Sequence, residues 1–182
     1  LDRKDELHLK DLANSIPPHR RMFISLLIGL FLLTLMLLGL IDLWTFRLKP
    51  GGHLSGNGNP ALLFVFLFLP LYILFLTCIA AIAQWYIHLE IKQGTYHWGI
   101  LTFMIVITLL IIGCEMLYFR QIFYSLGGFP NSAYSAIYRW STFNQYTNTA
   151  YINVFTYILG VLAALFIGYM IAVVRSIGRR KD

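Results

Sequence analysis

The chain has 182 residues, of which 58% are hydrophobic and only 12% charged, with a formal net charge of +6. Soluble domains carry roughly 45–50% apolar and about 25% charged residues, so one core of this size has no room for so much apolar surface. Lipid as the solvent removes the need to hide it. The basic excess does not point to nucleic acid, because it sits in clusters flanking apolar runs, the pattern that encodes orientation and contact with anionic lipid.

The length suits a single membrane domain, and no internal repeat is visible. The chain starts at Leu1 rather than Met, so it is expected to be processed or incompletely represented. Residues 1–21 form a charged segment in which Leu9, Leu12, Ala13 and Ile16 recur at helical spacing. That spacing predicts a short amphipathic helix lying on the membrane surface. Pro17-Pro18 ends it, and His19, Arg20 and Arg21 mark the water boundary.

Four long apolar runs follow, residues 22–44, 61–86, 98–119 and 151–174. Each reaches the roughly 20 residues needed to cross about 30 Å of hydrocarbon. The first is too long for a signal-peptide core and no small-residue cleavage site follows it, so it is expected to be retained. Spanning segments must satisfy their own backbone polar groups, and the runs lack the alternation of barrel strands, so all four are predicted helices. Trp44, Tyr86, Trp98, Tyr118 and Tyr151 lie at their ends, where amphipathic rings settle at headgroups. Pro70 sits inside the second run, the longest, and is expected to kink it.

Lys and Arg counts set the orientation. One side holds Arg3, Lys4, Lys10, Arg20, Arg21, Lys92, Arg175, Arg179, Arg180 and Lys181; the other holds Arg47, Lys49, Arg120 and Arg139. Ten against four places both termini, the turn at 87–97 and the basic tail at 175–182 in the cytoplasm. The distribution suits a plasma (inner) membrane. The first outer loop, 49–60, is rich in Gly, Asn and Pro and reads as flexible. The second, 120–150, is too aromatic for a solvated linker. There Asn131 or Ser132 is expected to cap a short helix with Tyr134, Ile137, Tyr138 and Ser141 on one face, lying on the outer surface or against a partner. The fold class is therefore all-α: a polytopic membrane protein with four transmembrane helices, a short N-terminal amphipathic helix, and an aromatic-rich outer segment between helices 3 and 4.

Few residues invite chemistry. At about 1.5 Å per residue, Glu115 lies roughly 10 Å and Asp42 near 13 Å from the midpoints of their helices, both toward the outer face. Two acids at similar depth suit a proton or cation site. The competing reading is an ion pair or hydrogen-bond network with Arg47, Arg120 or Arg139. His88 and His97 bracket the cytoplasmic turn with Glu90 between them, and are the candidate ligands if a haem or quinone is bound. Their spacing fits no local metal motif, and the cofactor stays unknown. Cys78 and Cys114 differ in height by roughly 16 Å, too far for a disulfide, which disfavours thiol–quinone chemistry.

Gly160, Ala164, Gly168 and Ala172 recur every fourth residue along the last helix. This small-xxx-small stripe lets another backbone approach closely, either within the chain or in another subunit. No Walker, GxSxG, HExxH or CxxC motif is present. Three functional classes remain. The first is a non-catalytic subunit of a larger membrane complex, packing through the last helix and the aromatic loop by self-association or against other subunits. The second is a small oligomeric transporter or channel using Asp42 and Glu115. The third is a quinone- or haem-associated redox subunit.

Overall fold

The computed structural model describes residues 18–48, 54, 56, 58–92 and 98–178. The expected amphipathic helix, most of the first outer loop, His97 and the tail after Gly178 lie outside the described residues. These hold five helices: α1 (Pro18–Trp44), α2 (Leu62–Lys92), α3 (Trp98–Ser125), the single turn α4 (Asn148–Tyr151) and α5 (Val154–Gly178). Pro18 opens α1, a position where its missing N–H would have had no helical partner. Pro70 lies exposed inside α2, and the helix runs on through it to Lys92. With α4 leading into α5 as one span, four segments are long and apolar enough to cross a bilayer. The protein is an all-α membrane protein with four transmembrane helices.

The packing order is α1, α2, α5, α3, and the α2–α5 contact is the most extensive. These two helices run parallel. Gly160 faces Tyr72, Gly168 faces Ala80, and His88 faces Ser176, each pair separated by the same 88 positions. The small stripe on α5 is thus occupied by the chain's own α2. A Cβ at Gly168 would collide with the Ala80 carbonyl oxygen, lie 2.7 Å from the Ala83 Cβ and 2.9 Å from the Gln84 nitrogen. One at Gly160 would land on the Tyr72 hydroxyl. Ala164 and Ala172, between and beyond them, are buried.

The space at Gly160 lets the Tyr72 ring lie flat on Tyr157, with centroids 4.8 Å apart, while its hydroxyl donates to the Tyr157 carbonyl. Phe68 and Phe75 extend the stack. Thr34 of α1 gives its proton to the Leu30 carbonyl at 2.8 Å, so the Tyr157 hydroxyl, 3.0 Å away, donates to Thr34. Around this knot Leu30, Leu37, Leu38 and Ile41 of α1 are buried against Val65, Phe68 and Phe75 of α2. Helix α3 takes no part; none of the residues in its apolar window is buried inside the protein.

Beyond α3 the chain folds into a compact cap. Helix α3 ends in a paired motif: Gly128 N–H donates to Phe123 O and Gly127 N–H to Tyr124 O. Gly127 has φ 79°, which glycine adopts without penalty. The helix expected behind Asn131 or Ser132 does not form; residues 126–147 make a series of turns. The reason is tertiary. Ser135 Oγ donates to the Gly128 carbonyl at 2.7 Å, Ala136 N–H to Leu126 O and Arg139 N–H to Pro130 O. These bonds draw the segment back onto the end of α3 instead of winding it. Ile137 is fully buried with Phe123, Leu126, Tyr146 and Ala150, whereas Tyr134 is 93% exposed. The residues expected on one face are therefore split between core and surface.

Overpacking a tight contact costs about 1–3 kcal/mol. Gly168→Leu, pressed against backbone, is expected to lower the thermal midpoint in detergent more than Gly160→Ala, which meets a side-chain tip. Gly113→Ala, with open space around its Cβ, is expected to leave it unchanged.

Candidate functional site

The polar chemistry gathers at the cap end, where the last span is interrupted. Helix α4 stops at Tyr151 and α5 restarts at Val154. Asn153 makes the restart: its Oδ1 accepts from the N–H groups of Phe155 (2.7 Å) and Thr156 (3.1 Å). Thr156 Oγ1 returns the favour to Asn153 N–H at 3.0 Å. This reciprocal cap satisfies amide donors that lipid cannot. The apolar run at 151–174 predicts one uninterrupted helix; the break begins at Ile152 because Asn153 offers the backbone an alternative to continuing.

The Asn153 amide nitrogen reaches two further acceptors, the Thr149 carbonyl at 3.0 Å and Glu115 Oε1 at 3.2 Å. Glu115 Oε2 is shut from solvent and has no hydrogen-bond partner among the described residues. No arginine pairs with Glu115 among the described residues. Asp42 is placed differently. Arg47 Nη2 donates to both of its carboxylate oxygens, at 3.1 and 3.2 Å, and the pair is open to the surroundings, Arg47 79% and Asp42 50% exposed. Arg120 is exposed on α3. Arg139, also exposed, has φ 64° and lays its guanidinium 5.1 Å from the Tyr138 ring centre. Of the three candidate arginines, only Arg47 meets one of the two acids.

A second polar knot holds the cap onto the bundle. Asn59 and Asn148 exchange amide hydrogen bonds at 2.8 and 2.9 Å, and the Asn148 amide also reaches Thr45 Oγ1 at 3.4 Å. Phe46 N–H donates to Gln145 O at 2.8 Å. Asn148 and Thr147 are fully buried. Asn59, Asn148 and Asn153 do not stand out in the sequence; the signal for the last is Asn153-x-x-Thr156, a capping pair inside an apolar run.

Between α1 and α3 the bundle is open. A cleft of about 520 Å³ has Leu35, Leu38 and Gly39 on one wall, Val154 and Phe155 on its floor, and Asp42, Arg47, Tyr118, Thr149 and Asn153 toward the cap. A neighbouring cleft of about 430 Å³ shares Arg47, Tyr118 and Thr149 and reaches Gln121 and Ser125. Asp42 and Asn153, the residue bonded to Glu115, thus line one space. His88 lies toward the opposite end of α2, its Nδ1 3.2 Å from Ser176 Oγ, a contact between helices. Cys78 and Cys114 are free thiols. Among the described residues no cluster of His, Cys, Asp and Glu is arranged to hold a metal ion. No protein-family model, curated protein or solved structure matches the chain.

Loss of an N-cap side chain costs about 1 kcal/mol. Asn153→Ala is expected to destabilise the protein by at least that amount, read as a lower unfolding midpoint in detergent. Asn153→Ser, which keeps an acceptor for the cap but drops the bond to Glu115, is expected to recover most of the loss.

Proposed function

We propose that the protein is a non-catalytic integral subunit of a larger membrane complex, in a plasma (inner) membrane with both termini cytoplasmic and the cap outside. The observation that supports this most is the cap. Outside the hydrocarbon, a self-packed scaffold with its own buried core presents Tyr124, Phe129 and Tyr134 outward, Tyr124 87% exposed. Rigid aromatic side chains of this kind are enriched at protein interfaces. The Gly160–Ala172 stripe, filled by α2, is not available to a partner. With the α5 stripe occupied, the partner contact falls on the cap.

A photocrosslinker placed at Tyr134 is expected to capture a defined protein in native membranes, while one at lipid-facing Leu109 captures none. Tyr134→Ala is expected to reduce co-purification of that protein about tenfold, the scale of an interface hot spot. Recovery of monomers alone in mild detergent, with no adduct at Tyr134, would refute the reading.

One observation favours a second reading, a small oligomeric transporter or channel. Glu115 holds, at intramembrane depth, a carboxylate oxygen without a partner among the described residues, and such groups mark ion or proton pathways. On this reading Glu115→Gln combined with Asp42→Asn abolishes ion flux in proteoliposomes; unchanged flux sinks it. No observation among the described residues favours the redox reading: His97 lies outside them, and His88 shows only its contact with Ser176.

A further inference from the structure

The cleft between α1 and α3 has a chemistry of its own, independent of whether a partner sits on the cap. Its lower part is a slot of Leu35, Leu38, Val154 and Phe155, with Gly39 leaving open space where a side chain would project. Its upper rim carries a cation and an anion side by side, Arg47 and Asp42. Leu35 lies seven residues before Asp42, about 10 Å deeper along the helix. The rim itself falls near 13 Å from the helix midpoint, close to the boundary of a hydrocarbon layer about 30 Å thick. Apolar slot below, paired charges at the headgroup level: the cleft has the polarity profile of a lipid molecule.

The two rim charges narrow the choice of headgroup. Guanidinium groups bind phosphate through charge-assisted, bidentate hydrogen bonds. A carboxylate beside it repels a second negative group and accepts N–H bonds from an ammonium. Exposed ion pairs such as Arg47–Asp42 contribute little to stability, so their exchange for a headgroup costs the fold little. We propose that this cleft holds one phospholipid of the cap-side leaflet, with a zwitterionic aminophosphate headgroup of the phosphatidylethanolamine type. Its phosphate rests on Arg47, its ammonium on Asp42, and one acyl chain runs down past Gly39. Tyr118 and Thr149 add polar groups beside the headgroup at the cap end of the same cleft.

The test uses the full chain, delipidated in mild detergent and titrated with phosphatidylethanolamine, phosphatidylcholine or phosphatidylglycerol of matched acyl chains, with bound lipid counted by native mass spectrometry. One phosphatidylethanolamine per chain is expected, preferred about tenfold over the other two, a difference of about 1.4 kcal/mol. Gly39→Leu fills the slot and is expected to cut occupancy about tenfold with helicity unchanged by circular dichroism. Arg47→Gln, on the exposed rim and remote from the packing core, is expected to weaken all three lipids. Asp42→Asn is expected to erase the preference over phosphatidylcholine while leaving lipid bound. Equal binding of the three lipids, a preference for phosphatidylglycerol, or full occupancy in both Gly39→Leu and Arg47→Gln overturns the proposal. So does a crosslink from Gly39→Cys to the helix of another protein in place of lipid.

Discussion

The close approach of α2 and α5 is the contact from which the rest of the bundle is built. In a bilayer, apolar side chains gain nothing by leaving lipid for one another, so cohesion must come from tight packing and hydrogen bonds between helices. Gly160 and Gly168 allow the first, because a Cβ at either would strike α2. Tyr72 and Tyr157 add the second, and Thr34 extends it to α1. The three helices are thereby fastened through a buried aromatic and hydroxyl cluster near the middle of the membrane. Helix α3 is excluded from that cluster; it packs against α5 and is tied at the cap end through Glu115 to Asn153 and through the contact of Phe119 with Tyr151.

The cap and the helix break solve a single problem. Where α4 stops and α5 starts, amide donors and carbonyls fall out of the helical ladder inside a region poor in water. Asn153 and Thr156 take up part of this demand, and Asn148 with Asn59 and Thr45 ties the neighbouring turn to two other parts of the chain. Placing the polar side chains here also shapes the cleft, since Thr149 and Asn153 occupy its wall while α1 and α3 stand apart on either side. The opposite end of the bundle shows a simpler arrangement, with His88 and Ser176 joining α2 to α5.

The four spans were legible because hydrocarbon thickness dictates a length and polarity that few other structures demand. The Gly/Ala stripe was legible as a close-packing surface, but nothing in its spacing distinguished α2 from a foreign helix. Depth arithmetic put Asp42 and Glu115 at comparable heights. Which partner each acid takes, Arg47 for Asp42 and Asn153 for Glu115, depends on the helices that flank the cleft and is not written in their depth. The failure at 131–141 has a different origin. Helical spacing of Tyr134, Ile137, Tyr138 and Ser141 is a local pattern, and it lost to long-range bonds from Ser135 and Ala136 to the end of α3. The break at Asn153 was masked by the apolar residues around it, which read as one span.

The alternation of glycine and alanine along α5 has a consequence for register. Sliding α5 along α2 by four residues, about 6 Å, would bring Ala164 or Ala172 to the place of Gly168, and a methyl group would meet the Ala80 carbonyl. Only a shift of eight residues, about 12 Å, in the direction that brings Gly160 there would present glycine again, and it would tear Tyr72 from Tyr157 and His88 from Ser176. The seam therefore works as a ruler with a period of eight rather than four. A helix pair that a uniform stripe would let slip is held to one alignment.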